Sequence, residues 1–343
     1  MGVNIKDVAR RAGVSIATVS HVMNGTRGTG AETKRKVLAA VEALGYSRNA
    51  AARDLVRGKS SLLALLISDI RNPFFPEITA AFQEQALMAN MEALVVNTNY
   101  DARRTLSSIQ RLIGLQVPGF AVLTSQIDPS VIDLLARKKI AAVYLDLGRV
   151  ERHISNIAID YEHGVAEALE HLTGLGHRRI GYIGGPLNLP SARRRKQAFL
   201  DTAMRLGVEP DRMIDSDFTV TGGYFACSKL LKSSNVSAIM AGNDLTAIGI
   251  LHRAYDGGLA VPKDLSVVGF DDILFSEYTQ PALTTVALPR AEIGRVAFQA
   301  LWRMMDDPER ECREFRVGTQ LVVRQSTAAC SGSGPIPLAL PVR

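Results

Sequence analysis

Two groups of residues in this 343-residue chain could do chemistry, and in both the chemistry is recognition. The first lies within residues 4–24, NIKDVARRAGVSIATVSHVMN, where Ile16, Ala17, Thr18, Ser20 and His21 share one face of a short helical pattern. Small apolar, hydroxyl and imidazole side chains presented together can meet thymine methyls, phosphates and base edges. The second group follows short apolar runs: residues 69–75 and 124–125, Asp146, residues 184–195, 243–244 and 271–272. Its Asp, Asn, Arg and Ser side chains could exchange hydrogen bonds with a small polar ligand, while Phe74, Phe75 and Phe218 cover an apolar face. No catalytic constellation accompanies them. The GGP at 184–186 is neither GxGxxG nor GxxxxGK[ST], and the six His make no Ser/His/Asp set and no metal spacing. Neither an enzyme nor a cofactor or metal is therefore expected.

The first group needs a rigid mount, and the flanking sequence spells one. Ile5, Val8, Ala9 and Ala12 fall on one helical stripe, Asn4 can cap it, and Gly13 can end it in the left-handed conformation. Ser15 can cap a second helix that buries Val19, Val22 and Met23. That is the helix-turn-helix layout, whose second helix offers its first residues to the major groove; an ordinary αα-corner is the alternative. A third helix over Ala31–Leu44, with Val37, Ala40, Val41 and Leu44 inward and Gly45 as its stop, completes a small head. Residues 47–59, SRNAAARDLVRGK, read as a linker with one isolated large apolar residue, Leu55. Eleven of the Lys/Arg and only four acids fall in residues 1–60, so the head carries +7 of a net +6 and the remaining 283 residues carry −1. A basic head on a neutral body suggests that the head alone meets a polyanion, against the alternative of a merely solvated basic face.

The second group needs parallel sheets. Apolar runs at 62–68, 92–98, 120–125, 141–147, 179–185, 237–243 and 266–272 alternate with amphipathic segments at 104–115, 131–138, 164–175 and 192–206. The pattern predicts an α/β body of two parallel sheets flanked by helices, with a seam near 157–163 and ligands at the strands' carboxyl ends. The longest aliphatic run, 62–67, is far short of a membrane span of about 20 residues. No apolar leader precedes the basic first 60 residues, and the three cysteines at 227, 312 and 330 make no CxxC pair. A cytoplasmic, nucleoid-associated protein with no membrane contact is expected.

These motifs resemble the lactose-repressor (LacI/GalR-type) family of bacterial transcription regulators over roughly residues 3–327: IKDVARRAGVSIATVSHVMN, NAAARDL, NPFF, LGHRRIGYIGGP, NDLTAIG and LSVVGFDD followed by PALTTV. The head looks closest to the purine-repressor branch. The resemblance implies a helix-turn-helix head (1–47), a hinge helix (48–60) and a two-lobed, periplasmic-binding-protein-like core (61–327). It puts lobe 1 at about 61–158 plus 290–315 and lobe 2 at about 159–289 plus 316–327. By position it makes Ile16, Ala17 and His21 base readers, places Thr18, Ser20 and Asn24 near phosphates, and adds Arg53 to the DNA contacts. It also makes Leu55 a minor-groove wedge, where packing on the core is the alternative. Arg195 matches the effector-binding arginine, and Phe75, Asp146, Phe218, Asn243 and Asp271 match pocket positions; Ser191 is a weaker candidate, and Phe74 joins the effector site as part of the apolar cover. Capping by Asp146 and Asp271, or a core place for Phe218, would be the structural alternatives; Arg193 and Arg194 look solvated or structural. Leu189 and Pro190 replace polar residues of the purine branch, and Leu288 stands where a polar pocket residue is common, so a sugar or sugar acid is favoured over a purine. The partners implied are double-stranded operator DNA, a small-molecule effector and a second copy in a homodimer. A regulator under a protein partner with a vestigial pocket, and a soluble sugar-binding module, are the other readings. The tail 328–343, rich in Gly, Ser and Pro without a heptad repeat, is expected to be disordered.

Overall fold

The computed structural model describes residues 3–25, 29–46, 60–124, 127–209, 212–307, 309 and 311–330. The chain divides into two compact units, Met1–Ser60 and Ser61–Arg343.

The first unit holds α1 (Ile5–Ala12), α2 (Ile16–Asn24) and α3 (Ala31–Leu44). Local sequence sets each boundary. Asn4 and Asp7 form a reciprocal capping box, and Gly13 closes α1 at φ 65°. Ser15 Oγ accepts from Thr18 N at 3.1 Å to start α2. Gly45 ends α3 at φ 58°. Val8, Ala9, Val19, Val22, Val37 and Ala40 meet in one small core, which fixes the α1–α2 turn.

The second unit contains two six-stranded sheets. The first runs β11-β5-β4-β3-β1-β2 and the second β12-β10-β9-β8-β6-β7. In the first, β1 is Leu62–Ile67, β2 Glu92–Asn97, β3 Gly119–Leu123, β4 Ala141–Leu145, β5 Ile154–Ile159 and β11 Glu314–Val317. In the second, β6 is Ile180–Gly184, β7 Met213–Asp215, β8 Ala238–Ala241, β9 Ser266–Asp271, β10 Thr284–Ala287 and β12 Gln320–Val322. All pairings are parallel except β10 with β12. Each sheet reverses its strand order once, between β1 and β3 and between β6 and β8, and such switch points are where open α/β sheets bind ligands.

Eight α-helices cover these sheets among the described residues: α4 (Phe74–Met88), α5 (Ala102–Gly114), α6 (Pro129–Arg137), α7 (Tyr161–Gly174), α8 (Pro190–Leu206), α9 (Val220–Ser233), α10 (Asp244–Asp256) and α11 (Arg290–Asp306), the last returning to the first sheet to pack on α4. The chain crosses between the sheets after β5, after β10 and after β11. Helices α9 and α10 approach so closely that a Cβ on Gly249 would lie 2.1 Å from Val220 O. None of the described helices is long and apolar enough to cross a membrane.

Two expectations change. Residues 328–330 are held, not loose: Ala328 N donates to Ser266 Oγ at 3.1 Å, Ala328 O lies 3.0 Å from His177 Nε2, and Cys330 N donates to Leu175 O at 2.8 Å. These bonds go to side chains and to a helix end far along the chain, which composition alone does not reveal; the rest of that tail, 331–343, lies outside the described residues. Leu288 is buried in the core and does not line the cleft.

Candidate functional site

The carboxyl ends of the two sheets face one another across a cavity of about 160 Å³, room for roughly ten waters or one small organic molecule. Phe74, Phe75, Asp146, Ser191, Arg195, Phe218, Asn243 and Asp271 all line it, so residues up to about 200 positions apart in sequence are brought together. Leu189 and Pro190 line it as well, and they make that wall apolar.

At its floor Arg195, on α8, is 7% exposed. Its Nη2 lies 3.2 Å from Asp271 Oδ1, in ion-pair contact but off the hydrogen-bond direction, so that oxygen has no hydrogen-bond partner. Nη1 donates to Gly242 O, and the faces of the guanidinium lie 4.2 Å from the Phe270 ring, 5.0 Å from Tyr161 and 5.7 Å from Phe218. Nε is left without a partner. Burial works against the Arg195 charge, but Asp271 and the tyrosines around it hold it on. Burial pushes the Asp271 carboxyl up to about 6, with Arg195 and Arg290 pulling the other way. Arg195 Nε and Asp271 Oδ1 are thus shut away from water without hydrogen-bond partners, a costly arrangement that the ion pair between the two side chains offsets.

The backbone around them is strained. Asp146, Phe218 and Asp271 have φ of 57°, 62° and 115°. Such conformations cost about 1–3 kcal/mol each and gather at ligand sites; Phe218 is the costlier case, because a bulky residue has little local compensation at φ > 0. Gly185 makes room for it: a Cβ there would come within 2.1 Å of the Phe218 ring.

Asp146 serves the protein more than the cavity. Its Oδ1 accepts from Ile159 N and Arg194 Nη1, both at 3.1 Å, and its Oδ2 accepts from Tyr161 OH at 2.6 Å. Burial raises its pKa, against these bonds. Asp146 ends a strand of the first sheet while Arg194 and Tyr161 belong to helices of the second, so the trio ties the lobes together. Arg194 is therefore structural, with 38% of its side chain exposed. Neither Asp146 nor Asp271 caps a helix; Asn243 does, through Thr246 N at 2.9 Å, and its Nδ2 donates to Phe218 O at 3.2 Å.

Sequence reasoning missed Tyr161 and Tyr100, and it reached Asn72 and Asp244 only as members of the runs 69–75 and 243–244, without a role for either. Tyr161, Tyr100 and Asn72 line the cavity, and burial pushes the Tyr100 hydroxyl up to about 12. Asp244, beside Asn243, is wholly buried and accepts from Ile273 N (2.8 Å), Ser276 Oγ (2.7 Å) and Thr285 Oγ1, which anchors the loop that carries Asp271. Its partners lie 29 to 41 positions away, so no local pattern could have shown it.

In the head, Ile16 is 44% exposed and Ala17 is also exposed at the start of α2. Thr18 Oγ1 lies 2.9 Å from Ser15 Oγ, while Ser20 and His21 are half-buried on the same helix. Asn24 closes α2; its side chain, together with Arg53 and Leu55, lies outside the described residues.

A head built to present a helix and a two-lobed α/β body with a ligand-sized cleft define a ligand-responsive DNA-binding protein. Residues 4–49 match the bacterial regulatory proteins of the lacI family, and residues 169–327 match the periplasmic binding protein-like domain. The chain is 32% identical over 331 residues to catabolite control protein A of Priestia megaterium, covering 95% of this chain and 100% of that one. It is 33% identical over 326 residues to the HTH-type transcriptional repressor PurR of Photobacterium profundum, covering 94% and 98%. The crystal structure of the lac repressor dimer bound to operator and the anti-inducer ONPF superposes with a TM-score of 0.85 at 27% identity, covering 96% of this chain and 100% of that one. The chain belongs to the lacI family, and it is a DNA-binding transcriptional regulator with an effector-binding core.

Proposed function

We propose that this regulator is a cytoplasmic homodimeric repressor whose hold on a two-fold operator is set by a sugar bound in the cleft. The observation that carries the ligand class is a cleft lined by Asn72, Ser191, Arg195, Asn243 and Asp271 beside three phenylalanine rings. A hydroxyl both donates and accepts, so the hydroxyls of a sugar suit a wall that mixes a guanidinium, carboxylates, amides and a serine. Apolar Leu189 and Pro190 with Phe74, Phe75 and Phe218 suit the C–H faces of a sugar ring. On DNA, Ile16 and Ala17 meet thymine methyls, and His21 is the polar base reader of the three. Arg53 and Leu55 act at the minor groove between half-sites, and Thr18, Ser20 and Asn24 act at phosphates.

A thermal-shift screen of neutral monosaccharides, sugar acids and purines tests the ligand reading, since a ligand bound only by the native state raises the melting temperature. A shift with a sugar supports it, and no shift with any sugar overturns it. His21→Ala tests the DNA reading on duplexes selected from a random pool: discrimination between the selected site and single-base variants should fall by about tenfold or more at the contacted position, and unchanged discrimination removes His21 from base reading. Arg194→Gln, which unties Asp146, should lower apparent sugar affinity by about three- to tenfold through a smaller population of closed lobes. The order of preference among sugars should stay the same; a reordering would place Arg194 against the ligand itself.

A further inference from the structure

The Arg195–Asp271 pair also bears on the charge of the ligand, an inference that rests on the sugar reading above. We propose that Asp271 makes the cleft a charge filter: by neutralising Arg195 inside the cavity, it selects uncharged, hydroxyl-rich ligands and turns away sugar acids and phosphorylated sugars. An anion needs a cation whose charge is not already compensated, and the geometry denies it one. Both side chains are more than nine-tenths buried, and the guanidinium is paired at 3.2 Å, bonded to Gly242 O and covered by the rings of Phe270 and Tyr161. Only Nε–H remains.

The neighbouring cations are spent too. Arg194 is bound to Asp146 and Glu162, at 3.1 and 3.4 Å. Arg290 donates to the backbone oxygen of Asp271 and pairs with Glu77 at 2.8 Å. A carboxylate or phosphate brought against Arg195 would therefore meet the charge of Asp271 as well, with no unpaired cation beside it among the described residues. An uncharged hydroxyl in that place meets no such repulsion. Like charges brought together in a desolvated site are strongly penalised, which makes the discrimination a repulsive device and not only a matter of fit.

The test is calorimetric titration of the full chain at pH 7.5 with matched pairs: D-glucose and D-glucuronate, D-galactose and D-galacturonate, D-ribose and D-ribose 5-phosphate. For the neutral sugar that binds best, the charged partner should bind at least about tenfold more weakly. In Asp271→Asn the neutral sugar should weaken while the charged partner gains, so that the ratio narrows or reverses. A charged partner that binds the unaltered chain as tightly as its neutral sugar overturns the filter and leaves the cleft reading intact. A wild-type ratio retained in a folded Asp271→Asn overturns the role of Asp271. If Asp271→Asn does not fold, the ratio in the unaltered chain decides. No binding by any neutral sugar overturns the sugar reading, and the filter with it.

Discussion

Arg195→Ala should abolish ligand control of DNA binding and destabilise the core by about 3–5 kcal/mol, the range for removing one partner of a buried ion pair. The cost comes mostly from what is left behind. Asp271, 3% exposed, would keep its carboxylate without the cation that offsets its burial, and Gly242 O would lose its donor. The paired replacement Arg195→Leu with Asp271→Leu should cost less than Arg195→Ala alone, because it leaves no unpaired charge. Urea unfolding of the three proteins checks this; a double variant less stable than the single one would show that the pair itself holds the second lobe together. Because α1–α3 form their own core, Arg195→Ala should still bind DNA. A variant that retained ligand control would move the effector site elsewhere.

The second large effect belongs to Asp244. Asp244→Ala strands Ile273 N–H and the Ser276 and Thr285 hydroxyls in the interior, at about 1–3 kcal/mol for each donor that finds no substitute. The expected loss is about 3 kcal/mol, and ligand affinity should fall with it because the loop after β9 aims Asp271. Gly269 shows how closely this site is packed: a Cβ there would lie 2.1 Å from Asp244 Oδ1. Asp244→Asn keeps an acceptor for Ile273 and Ser276 and a donor for Thr285, so it should be far milder.

The same residue makes stability depend on pH. Burial pushes Asp244 up to about 7, and the nearby Asp271 charge adds to the rise. An unfolded aspartate titrates near 3.9, so between about pH 4 and 7 the native state holds a proton that the unfolded state releases. The stabilisation is full below pH 4 and is lost as pH rises through 7. His171 and His177, whose pKa values burial lowers, work in the opposite sense below about pH 6.5. The difference between the unaltered chain and Asp244→Asn isolates the carboxylate: it should shrink as pH rises from 5 to 7.5, and a pH-independent difference would contradict it.

The legible parts of this chain were those written locally. Asn4, Gly13, Ser15 and Gly45 announce helix ends by side-chain type alone, and the helix over Ala31–Leu44 has the predicted bounds. The apolar runs became β1–β4, β6, β8 and β9. β5, ISNIAI, buries Ser155 and Asn156, which look like loop residues until the sheet covers them. β7, β11 and β12 span three or four residues at sheet edges, where a half-exposed pattern cannot be told from a turn. In the cleft, position marked the right residues, but whether each is free or engaged depends on neighbours far along the chain. Asp146 was expected to meet a ligand, and three protein donors already occupy its carboxylate.

The central claim is that occupancy of the cleft controls the hold of the head on DNA. The most direct test measures the affinity of the full chain for a duplex selected from a random pool, at one fixed salt concentration, with and without the sugar that most raises its melting temperature. Coupling of about 1–3 kcal/mol predicts a change of about 5- to 150-fold, and DNA should change the sugar affinity by the same factor. Equal DNA affinity with the cleft empty and saturated would contradict the account.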